Sequence, residues 1–76
     1  MSKPIEPCHA MVGMRIRQIR EVLGITQDDL AKRCNWKRVS ITNIETGRQR
    51  LLLDGVERCA KALGTTPKAL LKGVWW

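Results

Sequence analysis

The stretch Thr26–Arg50, TQDDLAKRCNWKRVSITNIETGRQR, decides the fold predicted for this chain. Thr26 and Asp29 have the spacing of a capping box, in which each residue bonds the backbone amide of the other at a helix N-terminus. A short helix is therefore predicted over about Gln27–Cys34. A tight turn separates it from a second short helix, predicted over about Arg38–Glu45. Asn and Gly residues suited to turns lie just beyond each helix.

Three more helices flank this pair. Val12, Ile16, Ile19 and Leu23 recur at helical spacing and predict an apolar stripe on helix 1. No segment shows the alternation of a strand, so an all-α fold of five helices is predicted. The flanking elements are helix 1 over about Ala10–Leu23, helix 4 over about Asp54–Leu63 with Asp54 and Glu57 as its capping box, and helix 5, opened by Thr66 and Pro67 and ended by Gly73.

The length of 76 residues allows one domain with one modest core. Residues 1–8 contain two Pro and no helical period, so a flexible N-terminal arm is predicted there. The domain itself is predicted over residues 9–73. Residues 74–76 form a C-terminal tail that could contribute to a dimer contact.

A formal net charge of +7 and a pI of about 10 favour a polyanionic partner. Nucleic acid is the first candidate and an anionic membrane surface the second. The three Trp are the only aromatic residues, which weakens a single-strand or RNA function that relies on base stacking. No apolar run reaches the roughly 18 residues of a membrane span, and the N-terminus lacks a signal-peptide core. Cytoplasmic localisation and no membrane partner are therefore expected.

The cysteines and the histidine do not indicate a site. Cys8, Cys34 and Cys59 are odd in number and lack a C-x-x-C spacing, which argues against both a disulfide framework and a zinc site. Cys34 and Cys59 are expected to be small core residues. His9 has no partner in a recognisable spacing. No metal, no cofactor and no enzymatic activity are expected.

One face of the second short helix lacks both large apolar side chains and acids. Ile41 and Ile44 point inward, so the outward face is centred near Val39 and Thr46. A solvated face is also polar, but it usually alternates Glu and Lys. Short hydrogen-bonding side chains dominate here, which favours contact with base edges. The residues predicted to make that contact are Arg38, Val39, Thr42 and Asn43.

Basic residues surround this face. Leu30–Arg50 contains six basic residues and one acid, Glu45. Glu45 lies toward the core and is expected to pair with an arginine of helix 1, because a buried carboxylate needs a partner. The basic side chains are expected to meet phosphates, which position a protein without specifying sequence.

The stretch GITQDDLAKRCNWKRVSITNIETGRQR resembles the helix-turn-helix of the Cro/cI (XRE-type) family of prokaryotic DNA-binding regulators. Its motifs are the L-G-I-T-Q entry, the L-A pair, the I-T-x-I-E-x-G exit and the A-x-x-L-G of helix 4. The resemblance runs from about Met14 to near the C-terminus. It implies a compact five-helix lambda-repressor-like DNA-binding domain, with helices 2 and 3 as the helix-turn-helix, that binds a dyad-symmetric operator as a dimer.

The resemblance also implies roles for individual residues. Gln27 matches a family glutamine that contacts the DNA backbone and supports the first base-contacting residue. Arg20 and Glu45 match a family ion pair, which identifies the partner arginine of helix 1. Arg38, Val39, Thr42 and Asn43 match base-contacting positions. Thr46, Arg48 and, more weakly, Arg50 match positions that meet phosphate.

Three features depart from the family pattern. Lys37 stands where the family often has a capping Ser or Thr, so this helix start is less well capped but could bind phosphate. Asn35 replaces a frequent Gly. Leu51, Leu52 and Leu53 replace a segment that commonly carries Pro and a cap residue, and at least one of them is expected to be exposed or to meet a partner.

A symmetric homodimer is predicted. Its interface is expected to involve helix 5 and the two surplus apolar segments, Leu51, Leu52 and Leu53 together with Val74, Trp75 and Trp76. Packing of the Trp pair on its own core, or a disordered tail, remains the alternative. No small-molecule effector is implied.

The expected function is sequence-specific binding of a double-stranded DNA operator by a small transcriptional regulator, most simply a repressor that covers a promoter element. An activator is equally compatible. An antitoxin or a restriction-modification controller could use the same domain. A protein-interaction module without DNA binding is the alternative from a different class, and the charge and the outward face speak against it.

Overall fold

The computed structural model describes residues 8–72, with side chains from residue 11 onward. These residues form five α-helices and no strand, as the sequence predicts. The helices are α1 Cys8–Leu23, α2 Gln27–Cys34, α3 Arg38–Glu45, α4 Leu53–Leu63 and α5 Pro67–Leu71. Residues 1–7 of the predicted arm and the predicted stop and tail at Gly73, Val74, Trp75 and Trp76 lie outside the described residues.

The bounds of α2 and α3 are those predicted, because short-range signals set them. Thr26 Oγ1 accepts from the Asp29 amide at 3.0 Å, and the Thr26 amide donates to the Asp29 carboxylate at 3.3 Å. The hydrogen bond from the Thr26 backbone lowers the pKa of Asp29. Asn35 then ends α2 with φ of 61°. This left-handed conformation, which Asn tolerates better than most residues, turns the chain into α3.

The start of α3 is weakly capped, as predicted. Lys37 is the N-cap residue and makes no side-chain cap hydrogen bond. Trp36, just before it, is half-buried against the core. The guanidinium of Arg58 from α4 lies 5.6 Å from the centroid of the Trp36 ring, within the range of a cation–π contact.

Helix α1 begins earlier than predicted and ends at Leu23, as predicted. It begins at Cys8, two residues before the predicted start, so residue 8 belongs to the helix and not to the arm. Val12 and Ile16 are buried and Ile19 is half-buried, as the apolar stripe predicts. Leu23 is 49% exposed, so the prediction that it continues the buried stripe is wrong. It is the last residue of the helix.

The predicted start of α4 is also wrong. The N-cap residue is Leu52, which makes no side-chain cap hydrogen bond, and Asp54 lies inside the first turn. The helix starts earlier because the Leu52 carbonyl already accepts from the Val56 amide at 2.9 Å. The capping box of Asp54 with Glu57 therefore does not form. Helix α5 begins as predicted, with Thr66 Oγ1 accepting from the Ala69 amide at 3.2 Å.

A single core lies between the five helices. Cys34 and Cys59 are buried free thiols within it, as predicted. Their mutual hydrogen bond lowers the pKa of Cys34 and raises that of Cys59, to which burial also contributes. The buried apolar residues are Val12, Ile16, Leu30, Ala31, Cys34, Ile41, Ile44, Val56, Cys59, Ala60, Leu63, Leu70 and Leu71.

Gly13 sets how closely α1 and α3 approach. A Cβ atom at this position would clash with the carbonyl group of Ile44. The two helices therefore cross with backbone against backbone, which only glycine permits. This crossing helps to fix the position of α3 on the rest of the domain.

The three consecutive leucines divide into one core residue and two surface residues. Leu51 packs partly buried against the core. Leu52 is 74% exposed and Leu53 is 56% exposed. The prediction that at least one is exposed is confirmed, and the two exposed leucines form an apolar surface patch at the start of α4.

No helix among residues 8–72 is long and apolar enough to cross a membrane. Within the same residues, no cluster of His, Cys, Asp and Glu has an arrangement that could hold a metal ion.

Candidate nucleic-acid interface

Helix α3 turns one face to the core and the other to solvent. Ile41, Ile44 and Glu45 are buried on the inner face. The outer face carries the four residues predicted to contact bases, and we call these four the recognition face. Two of them are exposed, Arg38 and Val39, and two are half-buried, Thr42 and Asn43.

A buried ion pair ties the inner face of α3 to α1. Glu45 Oε2 accepts from Arg20 Nε at 2.7 Å, and Oε1 accepts from Nη2 at 3.1 Å. The side chains are 1% exposed for Glu45 and 11% for Arg20. The bond with Glu45 raises the pKa of Arg20. Arg20 Nη1 also donates to the Ile25 carbonyl at 2.9 Å, so one guanidinium fixes the end of α3 and the entry to α2.

Gln27 connects this ion pair to the recognition face. Its Nε2 donates to Glu45 Oε1 at 3.0 Å, and its Oε1 accepts from the hydroxyl of Thr42 at 2.9 Å. The resemblance implied that the Gln27 side chain supports Arg38, the first base-contacting residue. In the structure the Gln27 side-chain amide instead bonds Thr42. Gln27 and Arg38 still line a common surface depression of about 430 Å³ beside the start of α2.

The segment after α3 is held by its own backbone. The Asn43 carbonyl accepts from the amides of Arg48 at 2.9 Å and Gln49 at 3.1 Å. The hydroxyl of Thr46 donates to the Thr42 carbonyl at 2.8 Å. A phosphate oxygen can only accept, so contact between Thr46 and a phosphate needs its hydroxyl to turn away from that carbonyl.

The predicted phosphate-contacting cations lie on the exposed rim of the recognition face. Lys37, Arg48 and Arg50 are exposed. The salt bridges within residues 11–72 join Arg17 to Glu21 and Arg20 to Glu45, and none involves these rim cations. Their charge is therefore available to a polyanion.

Other arginines hold the fold together. Arg33, which was expected to meet phosphate with the rest, donates to the Ala62 carbonyl in α4 at 3.2 Å. Arg58 donates to the Cys34 carbonyl at the end of α2 at 3.2 Å. Arg15 donates to the Ala69 carbonyl in α5 at 3.3 Å. These three bonds satisfy carbonyls at helix C-terminal ends, which have no partner within their own helix.

The arrangement suits a duplex groove. A helix with short polar side chains on its outer face fits the major groove, where each base pair presents its own pattern of donors and acceptors. Exposed cations at both ends of α3 can bind the phosphates that border the groove.

Comparison with known proteins identifies the family to which this helix pair belongs. Residues 12–72 match the family model described as a helix-turn-helix domain. The chain belongs to this helix-turn-helix family.

Named relatives are consistent with that membership. Control protein C.BamHI of Bacillus amyloliquefaciens is 40% identical over 62 residues, which span 80% of this chain and 76% of the relative. The crystal structure of the restriction-modification controller protein C.AhdI from Aeromonas hydrophila has a TM-score of 0.81 and 26% identity, over 86% of this chain and 98% of the other. The P22 c2 repressor, crystallised with a synthetic operator, has a TM-score of 0.75 and 33% identity, over 83% and 96%. The helix-turn-helix protein is thus of the Cro/cI type, a family of DNA-binding regulators, and the expected lambda-repressor-like fold is confirmed.

The network through Gln27 is the part of the site that the sequence did not predict. Its members come from α1, α2 and α3, and their contacts depend on how these helices cross. The sequence does carry a signal for this network. Gln27 is the first residue of α2, and Thr42 lies three residues before Glu45 on α3. Once α2 and α3 pack together, both side chains lie near the Glu45 carboxylate.

Proposed function

We propose that this helix-turn-helix protein binds a dyad-symmetric operator in double-stranded DNA as a homodimer, with α3 in the major groove. The observation that carries the proposal is the recognition face itself, a helix surface of short polar side chains. Exposed cations border it and the buried Arg20–Glu45 pair fixes it. Such a protein acts where the DNA of a prokaryotic cell lies, in the cytoplasm.

The recognition face divides by side-chain chemistry. The guanidinium of Arg38 can donate two hydrogen bonds to O6 and N7 of guanine. The amide of Asn43 can bond N6 and N7 of adenine, and Val39 can contact a thymine methyl group. The proposed phosphate contacts are Gln27, Lys37, Thr46, Arg48 and Arg50.

The homodimer is supported by the apolar patch at the start of α4. Leu52 and Leu53 expose large side chains next to a groove of about 240 Å³ whose lining includes Trp36 and Leu51. A dimer that binds a dyad-symmetric operator needs its two copies of α3 on half-sites about one helical turn apart, and we propose that pairing through this patch provides that spacing. The proposed contacts of Val74, Trp75 and Trp76 belong to the same interface.

Two regulatory functions fit the proposed operator binding. The first is a repressor that blocks a promoter sterically. The second is a restriction-modification controller, which the 40% identity with control protein C.BamHI favours. Neighbouring genes distinguish them, since a controller is expected beside the genes for a restriction enzyme and its methyltransferase.

Selection of bound sequences from random duplex DNA at two salt concentrations tests the proposal. We expect a dyad-symmetric consensus and an affinity that falls steeply with salt, because phosphate binding releases counterions. Uniform weak binding to all sequences would contradict specific recognition.

Two variants then separate the roles within the interface. Asn43→Ala should lose preference at one base pair, at a cost of about 1–3 kcal/mol in binding free energy. Arg48→Ala should weaken binding to all sequences alike and reduce the salt dependence. Identical behaviour of the two variants in quantitative gel shifts would show that the proposed division between base and phosphate contacts is wrong.

A further inference from the structure

The hydroxyl proton of Thr42 is committed inside the protein. A chain of hydrogen bonds that begins at the buried carboxylate of Glu45 fixes its direction. Glu45 is a carboxylate paired with Arg20, so it can only accept hydrogen bonds. Gln27 must therefore turn its Nε2 toward Glu45, at 3.0 Å.

That orientation determines what Thr42 can do. With Nε2 turned to Glu45, the oxygen Oε1 of Gln27 faces Thr42 at 2.9 Å, and oxygen can only accept. The Thr42 hydroxyl must donate its single proton to this contact. The other polar atom within its reach is the Arg38 carbonyl at 3.3 Å, which is also an acceptor. Whichever of these two acceptors takes the proton, Thr42 Oγ1 keeps lone pairs but has no proton for an external partner.

We propose that Thr42 contacts operator DNA only as a hydrogen-bond acceptor, so the base edge it recognises carries an exocyclic amino group. In the major groove those groups are N4 of cytosine and N6 of adenine. The inference rests on the proposed function and specifies it at one base pair. A threonine whose hydroxyl could rotate would bond either a donor or an acceptor on a base. The network through Gln27 removes the second role, in which the hydroxyl donates, so Thr42 distinguishes base edges that carry a donor from those that do not.

Gln27 is a positioning residue in this scheme. Glu45 takes one of the two Nε2 protons, which leaves the other for the proposed phosphate contact, so one amide would join the DNA backbone, the buried ion pair and Thr42. Phosphate contact and base preference would then be coupled through a single side chain.

The first test uses the selected consensus operator and base analogues. In the base pair whose identity depends on Thr42, adenine is replaced by purine, or cytosine by its analogue without the 4-amino group. Wild-type protein should lose roughly tenfold in affinity, the size of one base contact. Thr42→Val should bind both duplexes equally, and Thr42→Ser should restore the difference.

Three results would overturn the inference. The first is a Thr42-dependent base pair that presents only acceptors to the helix. The second is that removal of the amino group lowers the affinity of wild type and of Thr42→Val equally. The third is that no base pair depends on Thr42. If no consensus is selected at all, the proposed function itself fails. A consensus without coupling to the amino group refutes only this inference.

The second test addresses Gln27. Gln27→Met keeps the length of the side chain and removes its amide. We expect preference at the Thr42 base pair to fall several-fold relative to the other positions of the operator. Arg48→Gln is the matched control and should lower affinity at every position alike. A uniform loss in Gln27→Met, equal in pattern to that of the control, would exclude a positioning role.

Discussion

At the scale of single residues, the carboxylate of Glu45 has the largest consequences. It is 1% exposed and accepts three hydrogen bonds, two from Arg20 and one from Gln27. Burying a charge is unfavourable unless such partners compensate for the lost water. The same pair connects α1 to α3, so the partners of Glu45 determine both stability and the angle of the recognition helix.

Replacement of Arg20 should therefore be severe. Arg20→Met keeps the apolar part of the side chain and leaves Glu45 buried without its cation, and we expect a loss of about 3–5 kcal/mol in the free energy of unfolding. Urea unfolding followed by circular dichroism measures it. The matched control is Arg17→Met on the same helix, whose partner Glu21 is more than half exposed, and it should cost less than about 1 kcal/mol. Equal losses in both variants would refute the special role of the buried pair.

Individual residue roles were predictable only where a pattern or a resemblance fixed them. The Arg20–Glu45 pair was expected because a buried acid needs a partner and the family pattern names one. The bond between Gln27 and Thr42 was not expected, because it depends on the orientation of an amide that a third residue controls. Arg33 was grouped with the phosphate-binding cations because its charge is visible in the sequence, whereas its bond to the Ala62 carbonyl in α4 is not.

At the scale of helices, α3 combines a weak start with an exposed charge. Lys37 occupies the N-cap position and makes no cap hydrogen bond. A cation at a helix N-terminus also opposes the helix dipole. Stability alone would favour Ser or Thr here, so the lysine makes sense as a contact to phosphate.

Lys37→Ser should consequently change stability and binding in opposite directions. The new cap should raise the free energy of unfolding by about 1 kcal/mol, while loss of the cation should weaken DNA binding and flatten its salt dependence. Lys37→Ala is the control, because it loses the same charge without gaining a cap. Urea unfolding and gel shifts at two salt concentrations measure the two effects. Unchanged DNA affinity in both variants would remove Lys37 from the phosphate contacts.

Helix bounds followed the sequence where caps and turn residues determine them. Helices α2 and α3 matched because Thr26, Asp29 and Asn35 act within a few residues of one another. Helix α4 began one residue early because the backbone of Leu52 accepted the first hydrogen bond without any side-chain cap. A capping box in a sequence thus does not by itself set a helix start, since α4 begins at a residue whose N-cap makes no side-chain hydrogen bond.

At the scale of the whole molecule, the surface has a basic part and an apolar part. The recognition face and its bordering cations occupy α3 and the segment after it, and the exposed Leu52 and Leu53 follow directly in sequence. A dimer through the leucines would thus hold two recognition faces close to its axis. Specific binding would then depend on both copies meeting the DNA together.

Leu52→Asp tests this arrangement without damage to the fold. Asp is a favoured N-cap residue, so the change supplies the side-chain cap that α4 lacks and should not lower stability. We expect a shift from dimer to monomer in analytical ultracentrifugation. Affinity for a full dyad operator should fall roughly 100-fold, while binding to a single half-site stays the same.

Val22→Asp is the control for the added charge, because Val22 is 86% exposed on α1 and is not one of the residues proposed for the interface. It should leave the dimer intact. A Leu52→Asp protein that sediments like wild type would exclude the leucine patch from the interface.

Gly13 limits how the base-contacting residues of α3 can be transferred to another protein. Because α1 lies against the Ile44 carbonyl with no side chain between them, the tilt of α3 is a property of that crossing and not of the recognition face. The four outward residues could be exchanged to redirect specificity while the crossing stays intact. Grafting the same four residues onto a related scaffold with alanine at this position would move the helix outward, and the transplanted side chains would reach different base edges.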